Sequence, residues 1–233
     1  MLTELQFLIV TAVSIASLHT FTGPDHYLPF IALSKARGWS LSKTIGWTIL
    51  CGSGHVFSSV LLGLGGAALG WSFSKLNWFE NIRGGIAGWI MLLFGLGYGC
   101  WGLYQASKNM AHKHFDLDED DNLFVFEHKH GAAVLPKERH KVTPWVMFII
   151  FILGPCEPMI PLLYFPAAKN SWSGMVILII IYTLVTLFTM LLMVILGYLG
   201  FGFFKVANME KYVHALGGLT IFICGVGMIF LSR

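Results

Sequence analysis

Residues 19–29 read HTFTGPDHYLP and place two histidines, an aspartate and a Gly-Pro pair inside an otherwise apolar first segment. Ionisable side chains are costly at membrane depth and usually mark a substrate or ion path. Gly23 and Pro24 predict a break in the helix, and broken backbone is tolerated at that depth only where it lines a cavity or is buried in protein. We therefore interpret this stretch as a broken membrane helix that carries a functional site.

The second half of the chain contains a similar interruption. Residues 154–161 read GPCEPMIP, so that Gly154 and Pro155 form a second Gly-Pro pair in an apolar segment. Two interrupted segments at corresponding positions of two halves are the best sequence pointer to the binding site of a transporter. The pair of breaks predicts a transport function, and no enzymatic activity is expected.

The composition is that of an integral membrane protein. Hydrophobic residues make up 56%, charged residues 12%, and the mean hydropathy is +0.71, which excludes an ordinary soluble domain. The net charge of +3 is not collected in one patch, so no nucleic-acid partner is expected. The four cysteines form no CxxC pair, which argues against a disulfide framework or a zinc ribbon. We therefore expect the protein to lie in the lipid bilayer.

The apolar runs predict an all-α fold of six transmembrane helices, arranged as two repeats with a polar loop between them. A first repeat would cover 1–106, a polar loop rich in histidine and acidic residues 107–143, and a second repeat 144–233. The six helices are expected at about 4–34 (broken near 19–26), 44–71, 84–106, 144–167, 173–204 and 212–231.

The distribution of Lys and Arg predicts the orientation. Eleven lie in the loops after the first, third and fifth predicted helices, and four, including Arg83, lie on the opposite side. By the positive-inside rule, the eleven face the cytoplasm of an inner (plasma) membrane protein, and both termini lie outside.

The two halves also match each other in sequence. The third predicted helices align at an offset of 130, which pairs the residues Glu80, Gly88, Gly95 and Gly97 with Glu210, Gly218, Gly225 and Gly227. Each half has three helices, an odd number, so the second half must be inverted relative to the first. The sequence therefore predicts a 3+3 inverted-topology repeat whose breaks, in the first and fourth helices, meet near the midplane.

Six polar side chains are expected to converge at these breaks. They are the candidate metal ligands His19, Asp25, His26, His55, Cys156 and Glu157. Imidazole, carboxylate and thiolate together suit a borderline divalent metal such as Ni, Co or Zn, bound as substrate, with no organic cofactor. The alternative is that these groups only join helices by hydrogen bonds.

A second candidate site lies in the central loop. Its histidines have the short spacing of metal-binding tracts, beside the acidic run DLDEDD (116–121). The candidate residues are His112, His114, His128 and His130. The other interpretation is a solvated charged linker, and the sequence leaves both open.

The run HTFTGPDH, together with GPCEP and six spans, resembles the LysE superfamily, most closely its nickel/cobalt (NicO-like) transporter branch. Members of that branch carry a His-rich signature ending in Asp-His on an early helix, which His19, Asp25 and His26 match. Their motif has four residues between the first His and the Asp, and this chain has five. The resemblance implies a metal-ion transporter, with a homo-oligomer or a metallochaperone as further partner.

Two other branches share part of the pattern. In the CcdA/DsbD-type thiol-relay proteins a Pro-Cys occurs in the first and fourth helices, and Cys156 matches the fourth-helix half, whereas Asp25 stands at the mirrored position. A transmembrane thiol/disulfide redox protein acting through Cys156 is therefore the alternative function. The TauE/SafE-type anion exporters would require cationic groups at the midplane, and the six predicted helices contain no Lys or Arg.

Overall fold

The computed structural model describes residues 2–107, 113–117, 123–127, 142–156, 158–168, 172–200 and 212–230. Eight α-helices account for most of this chain: α1 Leu2–Thr22, α2 Leu28–Arg37, α3 Leu41–Ala68, α4 Phe73–Ser107, α5 Val142–Leu153, α6 Met159–Ala168, α7 Trp172–Gly200 and α8 Val213–Phe230. A short 3-10 helix, Pro24–His26, lies between α1 and α2.

Among the described helices, five (α1, α3, α4, α7 and α8) are long and apolar enough to cross a membrane. Large apolar side chains on these helices face outward, with Phe7 71% and Phe188 68% exposed. Polar side chains such as His55, Glu80 and Thr186 are instead buried inside the bundle. This arrangement is expected where lipid surrounds the protein, and it confirms the prediction of a helical, multi-pass membrane protein.

Both predicted interruptions are present in the backbone. The first predicted span divides into α1 and α2 at Gly23–Tyr27, and the fourth divides into α5 and α6 after Leu153. Neither α5 (12 residues) nor α6 (10 residues) is long enough to span a bilayer alone.

Helices α4 and α8 form the most closely packed pair among the described helices. A Cβ atom built on Gly95 would meet the backbone of Phe222, and one built on Gly218 would meet the backbone of Gly99. Small residues let membrane helices approach this closely. Around this pair, α2 packs on α8, α1 on α7, and α3 on α5 and α7.

Two details differ from the sequence-based prediction. Helix α4 begins at Phe73, and not near residue 84, so Arg83 lies within a helix and not in the loop expected before it. The central segment, expected to be a polar loop, contains a two-stranded antiparallel sheet of β1 Lys113–Leu117 and β2 Leu123–Glu127. These strands are rich in aromatic and apolar residues, which favour paired strands even in a polar surrounding.

Candidate functional site

The first helix break places His26 inside the bundle. The amide N–H of Gly23 donates to the carbonyl of His19 (3.0 Å), and the amide of His26 donates to the carbonyl of Gly23 (3.1 Å). The chain resumes as α2 when the amide of Ile31 bonds to the carbonyl of Tyr27 (3.2 Å). The break therefore satisfies much of its own backbone, as membrane depth requires.

Gly23 has to be glycine for this geometry. A Cβ atom at this position would lie 2.6 Å from Nδ1 of His26 and 3.0 Å from the carbonyl oxygen of His19. Any side chain would therefore displace either the histidine ring or the end of α1.

Three histidines from two separate segments meet beside this break. The ring centroids of His19 and His26 are 4.9 Å apart, and those of His26 and His55 are 5.2 Å apart, with both pairs edge to face. One ring nitrogen from each of the three lies within 4.8 Å of the other two. His26 and His55 are 4% and 3% exposed, so the group lies in the protein interior.

Hydrogen bonds to carbonyl oxygens fix the tautomers of two of these rings. Nδ1 of His26 lies 3.1 Å from the carbonyl of Gly23, and Nδ1 of His55 lies 3.2 Å from the carbonyl of Phe151. A carbonyl oxygen only accepts, so Nδ1 carries the proton in each ring. In the neutral ring, Nε2 then keeps its lone pair and is free to act as a metal ligand.

The Nε2 atoms are the distinctive feature of the group. Those of His19, His26 and His55 are all buried, and none has a hydrogen-bond partner among the described residues. Leaving a buried polar atom without a partner costs about 1–3 kcal/mol. Three such atoms on neighbouring imidazole rings are what a metal-binding site would present.

Asp25 supplies a negative charge at the edge of the group. Its Oδ2 lies 3.4 Å from Nδ1 of His26, and its side chain is 26% exposed. Asp25, His26 and His55 line a cavity of about 20 Å³ together with the thioether side chains of Met91 and Met228. A space of that size holds about one water molecule or one ion.

The nitrogen atoms of the three histidines lie further apart than the nitrogen ligands of an occupied metal site. With metal–nitrogen distances of about 2.0–2.1 Å, nitrogen ligands in a tetrahedral site lie roughly 3.4 Å apart. The ring nitrogens lie within 4.8 Å of one another, so binding of an ion would require them to approach each other by at most about 1.4 Å. The residues present therefore fit a transition-metal ion.

The other candidate ligands have different positions. The thiol of Cys156 is fully buried and donates to the hydroxyl of Tyr182 (3.4 Å), and it is not a member of the three-histidine group. Pro24 opens the 3-10 helix of the first break, and Pro155 precedes Cys156 in the second. His114 falls in β1, whereas Glu157, His112, His128 and His130 lie outside the described residues.

A buried ion pair, Glu80 and Arg83 on α4, was missed by the sequence analysis. Nη2 of Arg83 lies 2.8 Å from Oε2 of Glu80, and the two side chains are 15% and 1% exposed. The same nitrogen donates to the hydroxyl of Ser59 and to the carbonyl of Gly154 (3.1 Å). The i,i+3 spacing of opposite charges was a usable signal, but it lay before the expected start of the helix. Arg83 places a partly buried cation next to the second break, at a position that the sequence-based prediction had assigned to a loop.

Comparison of the chain with family models, with curated proteins and with solved structures finds no match.

Proposed function

We propose that this protein is a secondary transporter of a divalent transition-metal cation, with His19, His26 and His55 as the ligands that bind the ion during its passage. The observation that carries the proposal is the set of three buried Nε2 atoms without hydrogen-bond partners among the described residues. Asp25 compensates part of the charge of the cation.

The donor set favours a transition metal over other cations. Neutral imidazole nitrogens suit Ni, Co, Zn or Cu, whereas Mg and Ca prefer mostly oxygen ligands. Histidines that only join helices would need no second ring nitrogen that is buried without a partner. Here the hydrogen bonds are made by Nδ1 of His26 and His55, and the Nε2 atoms are left for the ion.

The proposed architecture is six spans in a 3+3 inverted repeat, with α1–α2 as the first span and α5–α6 as the fourth. Reciprocal contacts in the α4–α8 pair support it. A Cβ on Gly88 would approach Gly225, and one on Gly95 would approach Gly218, while the repeat equates Gly88 with Gly218 and Gly95 with Gly225. Two surfaces related by a two-fold axis make contacts of this reciprocal kind.

The proposed location is the inner membrane, with the central loop in the cytoplasm and both termini outside, as the distribution of Lys and Arg indicates. Alternating access would expose the histidines to each side in turn. Because the ligands bind metal only when deprotonated, metal entry releases any bound protons, which offers a route to proton coupling.

The thiol-relay alternative gains no specific support. None of the four cysteines, each within the described residues, forms a disulfide. Cys156 is buried against Tyr182, whereas a relay needs its thiol to reach a partner.

Transport into proteoliposomes tests the proposal. Purified protein should drive uptake of radioactive Ni²⁺ or Co²⁺, and His55→Ala should abolish uptake because it removes one of three ligands. His214→Ala is the matched control, since His214 lies on α8 and bonds to the hydroxyl of Tyr98 (2.9 Å) outside the trio. Equal uptake by His55→Ala and wild-type protein would refute the proposed site.

A further inference from the structure

The buried ion pair of Glu80 and Arg83 bridges the two elements that orient His55. Ser59, which accepts a hydrogen bond from Arg83, lies four residues after His55 on α3 and therefore one turn along the same helix face. Gly154, whose carbonyl also accepts from Arg83 (3.1 Å), lies three residues after Phe151. Arg83 thus connects α3 to the end of α5, next to the point where His55 bonds to Phe151.

The backbone of the second break links the Arg83 contact to His55 through the carbonyl of Phe151. The carbonyl of Phe151 accepts from the amide of Gly154 (3.1 Å) and from Nδ1 of His55 (3.2 Å). A Cβ on Gly154 would lie 3.2 Å from Nδ1 of His55, so the ring and the break are already in contact. A shift of Gly154 would therefore move the acceptor that fixes the tautomer and the orientation of the His55 ring.

The charge of Arg83 is stable in this position because of Glu80. A cation largely removed from solvent is destabilising without a partner, and the carboxylate of Glu80 lies 2.8 Å away on the preceding turn of α4. The two hydrogens of Nη2 are shared among acceptors on α3, α4 and the end of α5. The planar guanidinium holds this nitrogen in a preorganised position, which the flexible stem of a lysine does not reproduce.

We propose that Arg83 is a positioning residue for the three-histidine site: held by Glu80, it clamps Ser59 and the Gly154 carbonyl and thereby orients His55 toward the cation. This inference rests on the proposed function. Arg83 does not touch the ion, and it acts through the Phe151 carbonyl and His55.

A double-mutant cycle on the purified full-length protein tests the route of this effect. Outer hydrogen-bond partners of metal-binding histidines are worth roughly 10–100-fold in metal affinity, so Arg83→Gln should raise the Kd for Co²⁺ by about tenfold. In a His55→Ala background the same change should have little further effect, since coupled residues are non-additive. Lys75→Gln, at an exposed cation near the start of α4 that stacks on Trp71, is the matched control and should leave the Kd unchanged.

A second readout does not depend on metal. Modification of His55 by diethylpyrocarbonate, followed by peptide mass spectrometry, should be faster in Arg83→Gln than in wild-type protein. Arg83→Lys, which keeps the charge beside Glu80 and is the variant to use if the glutamine variant does not fold, should show the same increase.

The outcomes separate the two proposals. An equal loss of affinity in both backgrounds, or unchanged affinity and unchanged His55 labelling, overturns the positioning role. If wild-type protein binds no Co²⁺, the proposed function fails, and the labelling of His55 alone then supports or overturns the role of Arg83.

Discussion

The two helix breaks share a backbone design and differ in chemistry. In each, a carbonyl oxygen, that of Gly23 or of Phe151, accepts both a backbone amide and Nδ1 of a histidine. The first break contributes His26 itself to the site. The second contributes no described ligand to the trio and instead supports His55, which comes from α3. On the proposed function, His19, His26 and His55 of the first half bind the ion, and the second half orients one of these ligands.

The charged residues beside the two breaks also differ, since the first break has an acidic residue and the second a basic one. Asp25 is partly exposed beside the histidines and can meet a cation, whereas Arg83 is bound to the carbonyl of Gly154. The first break can therefore attract a cation. The second break is held in place by the positive charge of Arg83.

The largest expected difference between the breaks concerns residues that follow the Gly-Pro pairs, His26 in the first break and Cys156 in the second. His26→Ala should weaken Co²⁺ binding by more than about 100-fold, because loss of a ligand exceeds the roughly 10–100-fold effect of an outer partner. Cys156→Ala should change the Kd by less than about threefold, since its thiol contacts Tyr182 and a change outside the ligand set is expected to fall below the range for outer partners. Isothermal titration calorimetry on both variants measures the effect, and an equal loss would place Cys156 among the ligands.

A smaller difference is expected between the two glycines. Gly23→Ala puts a methyl group 2.6 Å from Nδ1 of His26, whereas Gly154→Ala meets its nearest atom at 3.2 Å. Overpacking typically costs about 1–3 kcal/mol, so Gly23→Ala should lower thermal stability in detergent more than Gly154→Ala. Gly97→Ala is the control, because a Cβ there meets nothing within 4 Å. The reverse order of stability would contradict the described geometry of the first break.

The smallest effect is expected from the central loop. Deleting residues 112–140 removes five of the nine histidines but no residue of either break. Soluble histidines titrate near pH 6.5 and bind metal weakly unless several converge. Maximal transport in proteoliposomes should therefore persist, with a weaker apparent affinity at low metal. Complete loss of transport by a correctly inserted deletion protein would place the loop on the pathway.

Several features of the fold could be predicted from sequence because they depend on local chemistry. A Gly-Pro pair in the interior of an apolar span interrupts the helix, so both breaks were predictable, as were the apolar spans. The start of α4 could not be predicted, because Glu80 and Arg83 reduce the local hydropathy and make a helical turn resemble a loop. Their mutual pairing and the carbonyl of Gly154 offset that cost only in the folded protein.

The candidate site was predictable to a similar extent. The spacing of His19 and His26 indicated that they lie close together, and the structure brings His55 to them. The contact between His55 and the Phe151 carbonyl was hidden, because a backbone acceptor freed by a helix break has no side-chain signature in the sequence.

X-ray absorption spectroscopy of the purified protein loaded with one equivalent of Co²⁺ or Ni²⁺ tests the central claim most directly. The account predicts about three nitrogen ligands at roughly 2.0–2.1 Å with imidazole scattering, and about two in His55→Ala. A first shell made only of oxygen, or a spectrum unchanged by His55→Ala, would contradict a metal site built from His19, His26 and His55.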